Sequence, residues 1–184
     1  MNSPNKTPEP AALPIETVCK YCPRCGNENK TVDKVPFRCE SCGFSNFFGP
    51  VAAVGGLVVN DQQQILLVRR ARDPGKGQWG LPGGFVDRNE TAEEALAREI
   101  VEETQLVMTS CQLLLTQPNL YNYHGVVAPV IDLFYVCEVI KHDKVILAQD
   151  ELELFEWARP SAKHLENMAF ESNKLALEKW LELN

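Results

Sequence analysis

The chain of 184 residues lacks the long apolar segments that mark secreted and membrane proteins. Residues 1–17 are rich in proline, asparagine and charged side chains, and they contain no hydrophobic stretch of the length that a signal peptide requires. No later segment has enough consecutive apolar residues to span a bilayer. We therefore expect a cytoplasmic protein with no membrane partner, and we predict that residues 1–17 form a disordered tail.

Positive charge is also scarce, because 18 lysine and arginine residues face 25 aspartate and glutamate residues, for a net charge of −7. An acidic chain without a dense basic run does not bind nucleic acid along its whole surface, so a nucleic-acid partner is not expected. A local basic patch still suits a small anionic ligand. The hydrophobic content of 45% is typical of a globular protein, and the length suits one domain with a small attachment.

Four of the seven cysteines form two closely spaced pairs, which thirteen residues separate. Each CxxC pair can place two thiolates on one cation, and two pairs complete a tetrahedral zinc site. An odd number of cysteines in a reducing compartment favours metal binding over disulfides. We predict a small zinc ribbon over residues 18–46 with a structural Zn²⁺ held by four thiolates, which are those of Cys22, Cys25, Cys39 and Cys42.

Cys19 leaves an alternative open, because it forms a second CxxC pair with Cys22. We assign Cys22 to the zinc site together with Cys25, since a glycine follows this pair just as Gly43 follows the second pair. Buried free thiols are the competing interpretation of the same residues.

The hydrophobic pattern predicts an α+β fold with a mixed sheet, because strands occur in runs around one central and one terminal helix. The central helix is the clearest element, since Thr91 and Glu94 form a capping-box pattern at its start. Residues 69–78 are polar and are expected to form a loop. The predicted strands span 51–59, 65–68, 79–86, 107–116, 126–140 and 152–157, and the predicted helices span 91–105 and 172–183.

The central helix carries three glutamates that lie within one turn of each other. Glu99 is three residues from Glu102 and four from Glu103, so their carboxylates crowd one edge of the helix. A divalent cation would neutralise them, and hard oxygen ligands suit Mg²⁺ or Mn²⁺. The alternative is a solvated acidic helix face on which Arg98 pairs with its neighbours.

The polar loop and the glycines that follow it favour a phosphate substrate. The Pro82-Gly83-Gly84 turn lets the backbone come close to a ligand. A basic loop that faces an acidic, metal-binding helix is what a phosphate–Mg²⁺ substrate requires. The candidate substrate-binding cations are Arg69, Arg70 and Arg72.

The segment from Gly84 to Leu106 resembles the Nudix box, in which fixed spacings separate glycine, glutamate, Arg-Glu, Glu-Glu and aliphatic positions. The one departure is Gln105, which stands where the box has glycine and where a helix C-terminus favours it. This resemblance implies a Nudix α/β/α sandwich over residues 51–184, preceded by the zinc ribbon. The matching positions are Gly84, Glu90, Arg98, Glu99, Ile100, Glu102, Glu103 and Leu106.

The resemblance also implies roles for individual residues. Glu99, Glu102 and Glu103 would bind Mg²⁺ with the backbone carbonyl of Gly83. Arg98 would orient the carboxylates, and Glu90 would connect the loop to the helix. The general base would be Glu99 or Glu103, or one of three downstream acids. We favour Glu151 among the three, and a solvated acidic turn is the alternative for the group Asp150, Glu151 and Glu153.

The implied reaction is attack of water on a nucleoside diphosphate linked to another moiety, such as ADP-ribose, NADH or a nucleotide sugar. A zinc ribbon before a Nudix domain resembles the arrangement of NADH pyrophosphatases, but their Ser-Gln-Pro-Trp-Pro-Phe-Pro run is absent. In the corresponding region, Tyr121 and Tyr123 are expected either to stack on a base or to cover the core. The competing hypothesis is a non-catalytic Nudix module that senses a nucleotide, and the resemblance makes a homodimer possible.

Overall fold

The structure is a computed structural model, and it describes residues 12–140 and 144–184. The chain divides into two compact units. The first comprises the described residues up to Pro50 together with Leu120–Pro129, and the second comprises Val51–Asn119 and Val130–Asn184. The second unit starts at Val51, whereas Leu120–Pro129 groups with the residues of the first unit. No helix in the described ranges is long and apolar enough to cross a membrane.

The first unit contains four short elements, namely β1 (Leu13–Pro14), α1 (Ile15–Val18), β2 (Phe37–Arg38) and β3 (Ser45–Asn46). Strand β1 pairs with residues 126–127, and β2 pairs with β3 in an antiparallel hairpin. The predicted disordered tail lies outside the described residues as far as residue 11. Its remainder is corrected by the structure, because the pairing of β1 and the turn of α1 order residues 13–17.

The second unit is built around longer elements, and two of its strands extend into Leu120–Pro129. These elements are β4 (Val51–Val58), β5 (Ile65–Arg70), β6 (Trp79–Gly80), α2 (Ala92–Thr104), β7 (Met108–Tyr123), β8 (Val126–Val139), β9 (Leu152–Ala158), α3 (Ala162–Glu166) and α4 (Glu171–Leu183). Strand β8 pairs with β7 and runs parallel to β4, while β5 pairs antiparallel with both β6 and β9. The sheets thus contain parallel and antiparallel pairs, as the mixed-sheet prediction requires.

Alternating side chains of the strands form two cores on opposite faces. Leu66 and Val68 of β5 pack with Leu96 and Ile100 of α2, whereas Leu67 packs on the other side with residues of α4. This period-2 alternation places one helix on each face of the strands. The predicted α/β/α sandwich is therefore present.

Most differences from the predicted elements concern their ends. Strand β5 continues through Arg69 and Arg70 because both pair with β9, so these residues do not belong to the predicted loop. Strand β7 continues to Tyr123 instead of stopping near residue 116. The predicted strand 79–86 is reduced to Trp79–Gly80 and a single bridge between Phe85 and Ala53. The short helix α3 was not predicted from the sequence.

Helix α2 begins as its sequence predicts. The Thr91 hydroxyl accepts a hydrogen bond from the Glu94 backbone N–H, and the Glu94 carboxylate accepts one from the Thr91 N–H. This capping box fixes the first turn and therefore the direction in which the later glutamates point. The helix ends at Gln105, whose φ of 59° lies in the left-handed region where glycine is preferred.

Candidate active site and cysteine cluster

The Pro82-Gly83-Gly84 turn runs alongside β4 with almost no room for side chains. The backbone N–H of Val54 donates to the Gly84 carbonyl, and that of Gly56 donates to the Pro82 carbonyl. A β-carbon on Gly83 would collide with the Val54 carbonyl oxygen, and one on Gly84 would collide with the Glu99 carboxylate. Glycine is required at both positions because the turn lies directly between β4 and the carboxylates.

Glu103 is the most deeply buried of the three box glutamates, with a relative exposure of 7%. Its carboxylate accepts a hydrogen bond of 3.0 Å from the backbone N–H of Gly83. Burial raises the pKa of Glu103 to about 8, although the hydrogen bond from Gly83 favours the charged form. A divalent cation bound at Glu103 would favour its ionised form.

Arg98 organises the carboxylates that surround it. It contacts Glu90 at 2.7 Å, Glu99 at 2.8 Å and Glu102 at 3.2 Å, and it also donates to the Phe85 carbonyl. Hydrogen bonds from Arg98 hold the pKa of Glu90 below its usual value. Burial nevertheless raises the pKa of Glu99, despite the opposing hydrogen bond from Arg98. Arg98 therefore fixes the position of Glu99 without neutralising the site as a whole.

The donor set fits a divalent cation. Glu103 is buried and Glu99 is partly buried, and burial raises the pKa of both, which a bound cation would reverse. Glu102 is more exposed, at 59% of its side chain, and it pairs with Arg98. The ligand atoms of the three carboxylates are not all within 4.8 Å of one another, and two of the carboxylates, those of Glu99 and Glu102, contact Arg98. Oxygen ligands of this kind are typical of Mg²⁺ and Mn²⁺ sites.

The three predicted substrate-binding arginines are held by protein groups. Arg69 pairs with Glu153 at 3.0 Å, and Arg72 pairs with Glu151 at 2.5 Å. The Arg70 guanidinium donates to the Pro74 carbonyl and lies 5.3 Å from the centre of the Phe170 ring. The charge of Arg70 also acts to lower the pKa of Glu103, against the larger effect of burial.

Glu151 lies on the same side of the unit as the box glutamates. Its charge contributes to the raised pKa values of Glu99 and Glu103, after the larger effect of burial. Glu153 pairs with Arg69. Glu151 therefore lies near enough to Glu99 and Glu103 for its charge to act on both.

Tyr121 and Tyr123 belong to the first unit, at the end of β7. Their ring centres are 5.1 Å apart with an angle of 33° between the planes, and Tyr123 is 59% exposed. The Tyr123 ring therefore does not cover the core, although Tyr121 is partly buried. Their role toward a substrate stays a prediction.

The four paired cysteines of the first unit converge on one point. Their sulfur atoms all lie within 4.8 Å of one another, and the Cys22–Cys42 and Cys25–Cys39 pairs are each separated by 3.7 Å. Zn–S bonds of about 2.3 Å in a tetrahedron place sulfur atoms about 3.8 Å apart, so the cluster matches a zinc ion in size. Cys19 lies outside this group, which among the described residues is the only compact set of three or more potential ligands.

The turns that carry these cysteines have the predicted backbone. Gly26 and Gly43 have φ values of 75° and 72°, which side chains other than glycine rarely adopt. The N–H of each glycine donates to the carbonyl of the first cysteine in its pair, Cys22 or Cys39. These two turns therefore orient both thiols of each cysteine pair toward the same point.

A buried polar group on β8 was missed in the sequence analysis. Asp132 is 7% exposed and accepts a hydrogen bond of 2.9 Å from Asn119, and Ser172 of α4 lies beside it. Its signal was an acidic residue inside the otherwise apolar run from Val130 to Phe134, which is unusual for a core strand.

Comparison with known protein families gives a match to the NUDIX domain over residues 49–178. An ADP-ribose pyrophosphatase of Methanocaldococcus jannaschii is 49% identical over 61 residues, which cover 33% of this chain and 36% of that protein. An NAD-capped RNA hydrolase NudC of Vibrio cholerae is 33% identical over 102 residues, which cover 54% of this chain and 36% of that protein. The chain thus spans about a third of the length of these curated relatives.

Solved structures agree with this match. The NUDIX domain of Shewanella oneidensis NrtR, determined in complex with ADP-ribose, superposes with a TM-score of 0.58 and 27% identity, and the alignment covers 73% of this chain and 88% of that one. The family match covers more than half of the chain and includes the capped helix, the glycine turn and the buried glutamates. The chain belongs to the Nudix hydrolase family.

Proposed function

We propose that the chain hydrolyses the diphosphate bond of a nucleoside diphosphate linked to another moiety, with Mg²⁺ or Mn²⁺ bound by Glu99, Glu102 and Glu103. The observation that carries the proposal is the burial of Glu99 and Glu103 behind the Gly83-Gly84 turn with raised pKa values. Two acids one helical turn apart, one buried and one partly buried, must either keep a proton or bind a cation. Their placement supports the proposed metal site.

The chain's own residues have separate tasks in this reaction. The Gly83 N–H and Arg98 hold the carboxylates of Glu103 and Glu99 in fixed orientations. Glu151 accepts a proton from the attacking water, and the diphosphate replaces Glu151 as the partner of Arg72. A divalent ion, when bound, supplies Lewis-acid activation of the water and of the phosphoryl oxygens. The bond that breaks joins the bridging oxygen to the attacked phosphorus, and water supplies the new oxygen.

We propose ADP-ribose as the substrate. Two of the similar proteins support this choice, since one is named an ADP-ribose pyrophosphatase and another was determined with ADP-ribose bound. The products would be AMP and ribose 5-phosphate. A second candidate is the diphosphate of an NAD cap or of NADH, because the similarity to the Vibrio cholerae NAD-capped RNA hydrolase extends over 54% of this chain.

Hydrolysis of a substrate panel tests both candidates. ADP-ribose, NADH, NAD⁺, NAD-capped RNA, a nucleotide sugar and a nucleoside triphosphate are each incubated with Mg²⁺, and the products are identified. Preferential release of AMP from ADP-ribose supports the first candidate, and preference for NADH or capped RNA supports the second. Tight binding without turnover of any compound contradicts the proposal and favours a nucleotide sensor.

A further inference from the structure

Strand β7 forms an open edge of its sheet. It is 16 residues long, from Met108 to Tyr123, and it pairs with β8. Within residues 12–140 and 144–184, no strand and no isolated bridge pairs with the other side of β7. An open edge of this kind presents backbone N–H and C=O groups that can pair with a further strand.

The β7 edge lacks the features that keep other sheet edges from pairing with a second chain. Strands β6 and β9 are the edges of the sheet built on β5. Strand β6 is only two residues long, and β9 carries Glu153 and Glu156. By contrast, the sequence from Met108 to Tyr123 contains no lysine, arginine, aspartate or glutamate. Short length and charge are the usual protection of an edge strand, and β7 has neither.

Pro118 limits the part of β7 that can accept another strand. A proline has no N–H to donate, so it interrupts the hydrogen bonds between two paired strands. Pro118 is exposed. A further strand would therefore pair with residues 108–117, all of which belong to the second unit.

A groove lies beside this part of the strand. Its volume is about 1280 Å³, and its lining includes Thr109, Gln112 and Leu113 of β7. Less exposed apolar side chains, among them Leu114 and Val136, also line it. Leu113 is a large apolar residue that is 49% exposed. The groove therefore offers apolar contacts next to an exposed leucine on the open edge.

The charge of the groove disfavours an acidic occupant. Its lining includes Asp61 and Glu138, and the described lining residues include no lysine or arginine. A nucleic acid or an acidic peptide would be repelled by these carboxylates. A second β7 strand brings no charge, so two copies of a chain with a net charge of −7 can meet at this edge without placing charged strand residues against each other.

We propose that β7 is a docking strand for a second copy of this chain. The two β7 strands pair antiparallel over residues 108–117, and a two-fold axis makes the contact the same for both copies. Leu113 of each copy packs into the groove of the other, because the open edge and the groove share residues of β7. A two-fold contact is closed, so the product is a dimer and not a filament.

The test compares Leu113→Lys with Leu154→Lys in the full, zinc-loaded chain under reducing conditions. Leu154 is the matched control, because it is a leucine of the edge strand β9 with 47% exposure. Sedimentation from micromolar to sub-millimolar concentration measures the dissociation constant of the dimer. We expect Leu113→Lys to raise this constant by roughly 10- to 100-fold, since two leucines leave the contact and two like charges enter it. Leu154→Lys should dimerise as the wild type does.

Hydrogen exchange locates the contact and does not depend on any variant that fails to fold. The wild-type amides of residues 108–117 should exchange more slowly as dimer forms, because those on the open edge become hydrogen-bonded. A chain that stays monomeric, a dimer that Leu113→Lys leaves intact, or a dimer without added protection in this segment would overturn the proposal. A monomer whose groove binds an oligolysine peptide would also overturn it and assign the groove to a basic partner.

Discussion

The backbone N–H of Gly83 donates a hydrogen bond of 3.0 Å to the carboxylate of Glu103. The family resemblance had implied a role for the Gly83 carbonyl as a metal ligand. The observed contact is a different one, because the N–H of Gly83 fixes one oxygen of Glu103, and the role of the Gly83 carbonyl stays a prediction. Gly83 thus connects the Pro82-Gly83-Gly84 segment to the last turn of helix α2 through this hydrogen bond.

Replacement of Glu103 by glutamine tests the carboxylate directly. We expect Glu103→Gln to lower kcat by a factor on the order of 10² to 10³, since it removes a charged group that stabilises the transition state. The metal-free protein should keep its fold and gain about 1–3 kcal/mol of stability at pH 7, because a neutral amide avoids the cost of protonating Glu103 on folding at this pH. Steady-state kinetics and thermal unfolding measure the two effects. Wild-type turnover in this variant would exclude Glu103 from the site.

The stability of the metal-free protein should depend on pH in a defined direction. The folded state keeps a proton on Glu103 up to a pKa of about 8, whereas the unfolded chain releases it near the ordinary value of 4.5. The folded state therefore binds more protons between these values, and the free energy of unfolding falls as the pH rises from about 4.5 to 8. The fall is at most about 1.4 kcal/mol per pH unit for this group. Denaturant unfolding at several pH values measures it, and Glu103→Gln should flatten the dependence.

Substitution of Gly84 tests the close contact between the turn and α2. A β-carbon at this position would overlap the Glu99 carboxylate, so we expect Gly84→Ala to displace Glu99 and to weaken Mg²⁺ binding and turnover together. Gly49→Ala is the control, because nothing lies within 4 Å of its β-carbon. Metal titration measures the Mg²⁺ affinity of both variants. Equal Mg²⁺ affinity in the two variants would contradict the assigned position of Glu99.

Gln105 offers a stabilising substitution. Its φ of 59° is strained for a side chain, and glycine relieves this strain at a helix C-terminus. We expect Gln105→Gly to stabilise the protein by about 0.5–1 kcal/mol, which corresponds to about 1–4 °C in Tm. Gln105→Ala keeps the strain and loses the hydrogen bond to the Val101 carbonyl, so it should give no gain. A Tm for Gln105→Gly at or below that of Gln105→Ala would be inconsistent with this explanation.

The cysteine cluster should bind one zinc ion per chain. Cys39→Ser is expected to lose the ion and to lower thermal stability, because a structural zinc site contributes directly to folding. Cys19→Ser should retain the zinc, since Cys19 lies outside the cluster. Elemental analysis and thermal unfolding of the two variants provide the measurement. Loss of zinc in Cys19→Ser with retention in Cys39→Ser would reverse the ligand assignment.

The sequence was most informative where local rules act. The capping box at Thr91 and Glu94 and the positive φ values of Gly26 and Gly43 depend on a few neighbouring residues, so they could be predicted. The pairing of Arg72 with Glu151 could not, because it joins residues that are far apart in the chain. Those arginines were expected to be available to phosphate, whereas the fold gives each a protein partner.

The group around Asp132 could not be predicted from the sequence for the same reason. Its three members come from β7, β8 and α4, and only the packing of α4 on the sheet brings Ser172 to Asp132. An acidic residue in an apolar strand indicated that a partner exists, but no spacing rule identifies a partner that lies on another element.

The most direct test of the account is ADP-ribose hydrolysis by the wild-type chain and by Glu103→Gln, each with and without Mg²⁺, with the products identified. We predict that only the wild-type chain with Mg²⁺ releases AMP and ribose 5-phosphate at an appreciable rate. Turnover that is independent of Mg²⁺, or that is equal in the two proteins, would contradict metal-dependent hydrolysis at the buried glutamates.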